Sequence, residues 1–141
     1  MSSLRVFVCG SEQNVRHEIV GRILSLIHGP QALQPMTELL SINKPGVDQD
    51  ARDWAAENSI PIVIEENPNQ EQYGDMADQL AYGRAIARGM PDQILVLTTA
   101  GFNWVNKMVV QQRANFFNIP LRILYVTQDW TDDSPVPVLP V

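Results

Sequence analysis

Short, almost wholly apolar runs recur along the chain, and each is followed by a longer stretch in which apolar residues return every third or fourth position. "LRVFVCG" (4–10) is the first run, β-branched and aromatic and closed by glycine, the mark of a buried strand entering a turn. "SEQNVRHEIVGRILSLIHG" then repeats Val15, Ile19, Val20, Ile23, Leu24 and Ile27 on one helical face until Gly29-Pro30 stops it. "MTELLSI" (36–42) precedes the turn "NKPGVD" and a helix through about Asn58, after which "IPIVIE" (60–65) forms a third run. The polar segment 67–74 reads as a loop. Met76, Leu80, Ala81, Ile86 and Ala87 predict a helix over 75–88, ended by Gly89. "DQILVLTTAG" (92–101) is the fourth strand, a helix covers roughly 104–117, and "IPLRILYV" from residue 119 is the last strand.

This alternation calls for a parallel sheet covered on both faces, because each crossover has to return over the sheet. The expected fold is α/β: a single Rossmann-like three-layer α/β/α domain over residues 1–128, with a five-stranded parallel sheet in the order 3-2-1-4-5. The tail 129–141, with three prolines near its end, cannot continue a helix or a central strand and is expected to be an extended arm. Open sheets of this kind bind ligands beyond the carboxyl ends of the strands, at the switch between strands 1 and 4.

Composition narrows the classes of function. With 141 residues the chain makes one domain with its own core. Ten Lys and Arg against sixteen Asp and Glu leave a net charge of -6, so no basic surplus exists for nucleic acid or anionic lipid, and no nucleic-acid or membrane partner is expected. Cys9 is the only cysteine, which rules out an intramolecular disulfide and a multi-cysteine metal site and fits a reducing, cytoplasmic compartment. His17 and His28 lie three helical turns apart, too far to share a metal. No metal and no cofactor are expected. The amino-terminal apolar run is too short for a signal-peptide core, and no stretch is long enough to cross a membrane.

Four loops would line the crevice: 9–14, 43–48, 66–74 and 98–104. They are rich in Gly, Ser, Thr and Asn, residues that expose backbone N–H groups or add neutral donors, although turns use the same residues for their own geometry. The candidate ligand residues are Gly10, Ser11, Asn43, Lys44, Gly46, Asp48, Thr98, Thr99 and Gly101. Gly10-Ser11 offers amides to a phosphate at a helix start, or Ser11 is simply an N-cap. Asp48 suits an N-cap and Asp50 the first helical turn; as carboxylates they repel phosphate, and Asp48 is better matched to ribose hydroxyls. Lys44 and Arg16 are the nearest cations, with Arg84 and Arg88 either turned inward or solvated. Cys9 reads as a buried structural thiol in preference to a reactive one. Phe102 and Trp104 either stack on a base or close the core or a subunit contact. No G-x-G-x-x-G spacing is present for a dinucleotide.

"GVDQDARDWAAENSIPI" (46–62) resembles the segment "GADxxAxxWAxxxGIPV" of the YspA-like, YpsA-related branch of the SLOG superfamily, with Gly46, Asp48, Ala51, Trp54, Ala55 and Pro61 in register. "LRVFVCGS", Tyr73-Gly74 and "MPDQILVL" are similar to that family's first strand, Tyr-Gly pair and fourth strand. The resemblance implies a Rossmann-like fold akin to the LOG phosphoribohydrolases and DprA, with a nucleotide-related ligand. The departures fall at the implied ligand site. Ile42 and Asn43 stand where the pattern has two glycines, Ala81-Tyr82 where it has Arg-Asn, and 100–104 where it has Gly-Gly-x-Gly-Thr. The LOG glutamate has no counterpart.

Three functional readings follow. The first is a module that senses or sequesters a nucleotide-like or ADP-ribose-like molecule without catalysis. The second is an N-glycosidase or deoxyribosyltransferase-like enzyme using Asp48 or Glu66 at an oxocarbenium-like centre. The third is a non-catalytic interaction protein whose Phe102, Trp104, Phe116, Phe117 and proline-rich tail form an interface. A homo-oligomer is expected in each case.

Overall fold

The computed structural model describes residues 3–11, 15–67, 70–74, 76–99, 106–126 and 138–139. Five strands, β1 (Arg5–Gly10), β2 (Glu38–Ile42), β3 (Ile62–Glu65), β4 (Gln93–Thr98) and β5 (Leu121–Tyr125), form a parallel sheet in the order β3-β2-β1-β4-β5. A two-residue strand, β6 (Val138–Leu139), adds antiparallel to the outer edge of β5. The fold is therefore a single α/β Rossmann-like domain, as expected, with one extra edge strand drawn from the tail. An edge is where such a proline-flanked segment can pair, because only one side of the strand needs donors.

The helices are α1 (His17–His28), α2 (Val47–Glu57), α3 (Gln70–Tyr73), α4 (Met76–Gly89) and α5 (Lys107–Phe117). Strand alternation divides their contacts. Val6, Val8, Leu95 and Leu97 pack with Ile19, Val20, Ile23, Ala51 and Trp54, so α1 and α2 cover one face. Phe7, Cys9, Ile94 and Val96 pack with Ala81, Tyr82, Ile86 and Val110, so α4 and α5 cover the other. Near-complete burial of β1 and β4 explains why both read as unbroken apolar runs.

Two local expectations are corrected. First, α1 begins at His17 with Arg16 as its N-cap in extended conformation, not near Ser11. Ser11 still runs with the sheet: its N–H donates to Leu97 O at 3.4 Å and its carbonyl accepts the Val47 N–H at 3.2 Å, so it cannot cap α1. Second, the expected loop over 67–74 contains the single helical turn α3, which the polar composition did not signal.

Candidate functional site

The carboxyl ends of β1, β2 and β4 meet at the start of α2. Gly10 ends β1 so close to β4 that a Cβ there would lie 2.1 Å from Leu97 O and 3.0 Å from Val47 Cβ. Its lack of a side chain therefore serves packing of α2 onto the sheet. Gly46 precedes α2 with φ 87° and ψ -138°, a backbone that L side chains rarely adopt, and makes no side-chain cap bond. The N-cap is thus Gly46. Asp48 lies inside the first turn, which corrects its expected capping role.

Asp48 turns instead under the strand ends and is fully buried. Its Oδ1 accepts the Gly10 N–H at 3.0 Å, and its Oδ2 accepts the Tyr82 Oη–H at 2.8 Å. Tyr82 comes from α4 on the opposite face and is itself fixed edge-on against Phe7, ring centroids 6.0 Å apart. The acid therefore ties both helix layers to the end of β1. Burial pushes its pKa up to about 8, against the opposing pull of the Tyr82 hydroxyl, the Gly10 amide, Lys44 and Arg52. At neutral pH the carboxyl is mostly protonated, so Asp48 adds little negative charge to the floor of the crevice. It has no exposed surface from which to meet a ribose or attack a sugar carbon. Burial, and then Asp48, also raise the Cys9 thiol well above its ordinary value, which keeps it an inert structural group.

The loop from β2 to α2 is held from below by Arg52, 6% exposed. Its guanidinium donates to Ser41 Oγ at 3.0 Å, to the Ile42 carbonyl, to Lys44 O at 3.1 Å and to Gln49 Oε1 at 2.9 Å. Those bonds set the conformation of the residues that carry Asn43 and Lys44. Asn43 Nδ2 donates to Glu66 Oε2 at 3.0 Å, and Lys44 Nζ lies 2.7 Å from Asp78 Oδ2. Asn67 Nδ2 donates to the other oxygen of the same Asp78 at 2.8 Å. The rim is thus a polar network spanning two loops and α4, in which the ammonium of Lys44 is already matched by a carboxylate.

The most informative pair of atoms lies at the switch between β1 and β4. Gly10 is in register with Leu97, so Ser11 and Thr98 follow one step further on neighbouring strands. Both residues are 1% exposed, and neither Ser11 Oγ nor Thr98 Oγ1 has a hydrogen-bond partner among the described residues. Buried hydroxyls normally find one, and leaving each without it costs roughly 1–3 kcal/mol. Asn67 Oδ1 is the third buried polar atom in that condition. Thr99 is half-buried just beyond β4. Gly101, Phe102 and Trp104 lie outside the described residues.

Of the nine residues expected in the site, Gly10, Ser11, Asn43, Lys44, Gly46, Asp48, Thr98 and Thr99 are described. Gly10, Ser11 and Asp48 are joined by direct contacts around the end of β1, while Asn43 and Lys44 sit on the rim. The other cations are elsewhere: Arg16 caps α1 beside Glu18, Arg88 pairs with Glu65 at 3.0 Å, and Arg84 faces a groove between α4 and α5. His17 is exposed, whereas His28 is buried, with Nδ1 2.9 Å from Gln34 O and Nε2 3.4 Å from Arg122. Among the described residues no group of acids, His and Cys is arranged to hold a metal, and no helix is long and apolar enough to cross a membrane. Arg52, Asp78 and Tyr82 were not among the expected residues. Arg52 has one visible signal, a lone cation on the turn of α2 that faces the strand ends. No protein-family model matches the chain, and no curated protein matches its sequence.

Proposed function

We propose that the chain binds a nucleotide or an ADP-ribose-like molecule at the β1/β4 switch, as a sensing or sequestering module and not as an enzyme. The unpartnered Ser11 and Thr98 hydroxyls carry this reading. They sit side by side at the position where open α/β sheets bind ligands, and a ribose hydroxyl or phosphate oxygen would supply the missing bonds. Because both are covered, the ligand reaches them by displacing what lies over the strand ends. The rim adds neutral amides and an internally balanced Lys44–Asp78 pair, which suits a ligand bearing hydroxyls and a modest charge. Membership of the SLOG superfamily is part of the same proposal and rests on the 46–62 segment. A buried Asp48 engaged at both oxygens favours binding over the glycosidase reading.

The test is a thermal-shift series with AMP, ADP-ribose, NAD and cyclic dinucleotides, run on the wild type and on Ser11→Ala/Thr98→Val. At least one ligand should raise the wild-type melting temperature. The double variant should melt higher than wild type without ligand, since two unsatisfied hydroxyls are gone, and should lose the ligand response. Silence of the wild type across all four ligands, or an undiminished shift in the double variant, would refute the proposal.

A further inference from the structure

The outer surface of the α4/α5 layer combines positive charge with exposed apolar side chains. A groove of about 460 Å³ runs between the two helices, and Met76, Leu80, Arg84, Val109 and Arg113 are among the residues lining it. Met108 and Phe116, 68% and 80% exposed, form a ridge along α5 beside it. Every other Lys and Arg of the chain has a hydrogen-bond, ion-pair or other electrostatic partner. Arg84 and Arg113 have none among the described residues. The Arg113 guanidinium lies so close over Gly83 that a Cβ there would sit 3.2 Å from its Nε, next in sequence to Arg84. Two like charges thus share one groove with no counter-charge among the described residues, in a protein whose net charge is -6.

The opposite face has the complementary character. The groove between α1 and α2, about 750 Å³, is lined by Glu18, Asp50, Asp53 and Glu57 against Arg22 and His17, with Leu26 53% exposed beside them. We infer that the α4/α5 face of one copy binds the α1/α2 face of a second copy, giving a head-to-tail assembly. Offset by half a helix spacing, the α5 ridge enters the partner's α1/α2 groove beside Leu26. The α2 ridge bearing Asp53 and Glu57 then enters the α4/α5 groove beside Arg84 and Arg113. A two-fold contact of either face with itself would instead bring like charges together. Because the two faces lie on opposite sides of the sheet, the contact is heterologous and propagates from copy to copy.

The experiment is sedimentation velocity on the full chain over a concentration series at low and high salt, with Arg84→Ala/Arg113→Ala and Asp53→Asn/Glu57→Gln. The wild type should grow with concentration and dissociate in salt. Each double variant alone should associate at least about tenfold more weakly while keeping its circular dichroism spectrum. An equimolar mixture of the two should form a 1:1 dimer that grows no further, since each variant supplies one intact face. A wild type that stays monomeric at low salt, a double variant that assembles as strongly as the wild type, or a mixture that stays monomeric overturns the inference.

Discussion

Replacing Asp48 with asparagine tests the reading of the crevice floor as a neutral acid. The buried carboxyl titrates at about 8 in the folded chain against an ordinary value of 3.8. A gap of about 4 pH units corresponds to on the order of 5 kcal/mol, a large share of a domain's stability. The folded-state pKa is raised, so the stabilisation is fully present below about pH 4. It is lost as pH rises to about 8, because the unfolded chain releases a proton that the folded chain retains. The substituted amide cannot ionise. Its oxygen can still accept the Gly10 N–H, while its nitrogen faces Tyr82 Oη and donates to it, which keeps the contact but reverses the direction of the native bond. Urea unfolding of wild type and Asp48→Asn at fixed ionic strength from pH 5 to 9 gives the comparison, and other carboxyls cancel in the difference. The variant should lie within about 2 kcal/mol of wild type at pH 5 and be more stable by several kcal/mol at pH 9. Parallel curves, or a variant weaker by a constant amount throughout, would mean that Asp48 is ionised in the folded protein and that the floor carries a full negative charge.

Other positions test neighbouring parts of the argument. Arg52→Met removes the donors that hold the Ile42 and Lys44 carbonyls and should cost about 2–4 kcal/mol, with amide exchange accelerated over residues 42–46. Gly10→Ala puts a methyl group into Leu97 O and should cost more than about 3 kcal/mol, seen as a lowered denaturation midpoint or loss of soluble protein. Burial holds the His28 pKa below its ordinary value of 6.5, so the stability from its neutral form is present above that pH and is lost as pH falls through the depressed folded value. His28→Gln should flatten this acid-side decline, as measured by urea unfolding between pH 7.5 and 4.5.

The sheet was legible because β1 and β4 are buried on both faces and so spell themselves as uninterrupted apolar runs, while α1 carries its apolar stripe at helical spacing. The start of α1 was not legible. Val15 continues the stripe, yet the backbone of Ser11 is committed to Leu97 and Val47, contacts far away in the chain. Sequence reasoning nominates Asp48 but gives it a capping role, since an aspartate two residues past a glycine at a helix start satisfies local capping statistics. What decides its role is Tyr82, 34 residues on, and no local rule reports that pairing. The same limit hid the Lys44–Asp78 pair, whereas Ser11 and Thr98 could be nominated because strand ends at the switch point are fixed by topology alone.

The Gly10–Asp48–Tyr82 chain has a consequence for how the molecule comes apart. A sandwich of two helical layers around a sheet can shed one layer while the other survives, but here a single proton-bearing side chain from one layer grips a phenol from the other around the strand tips. Peeling away α4 strands a buried acid, and peeling away α2 strands a buried phenol. Fraying of either side therefore propagates to both, and denaturation should proceed as one concerted event.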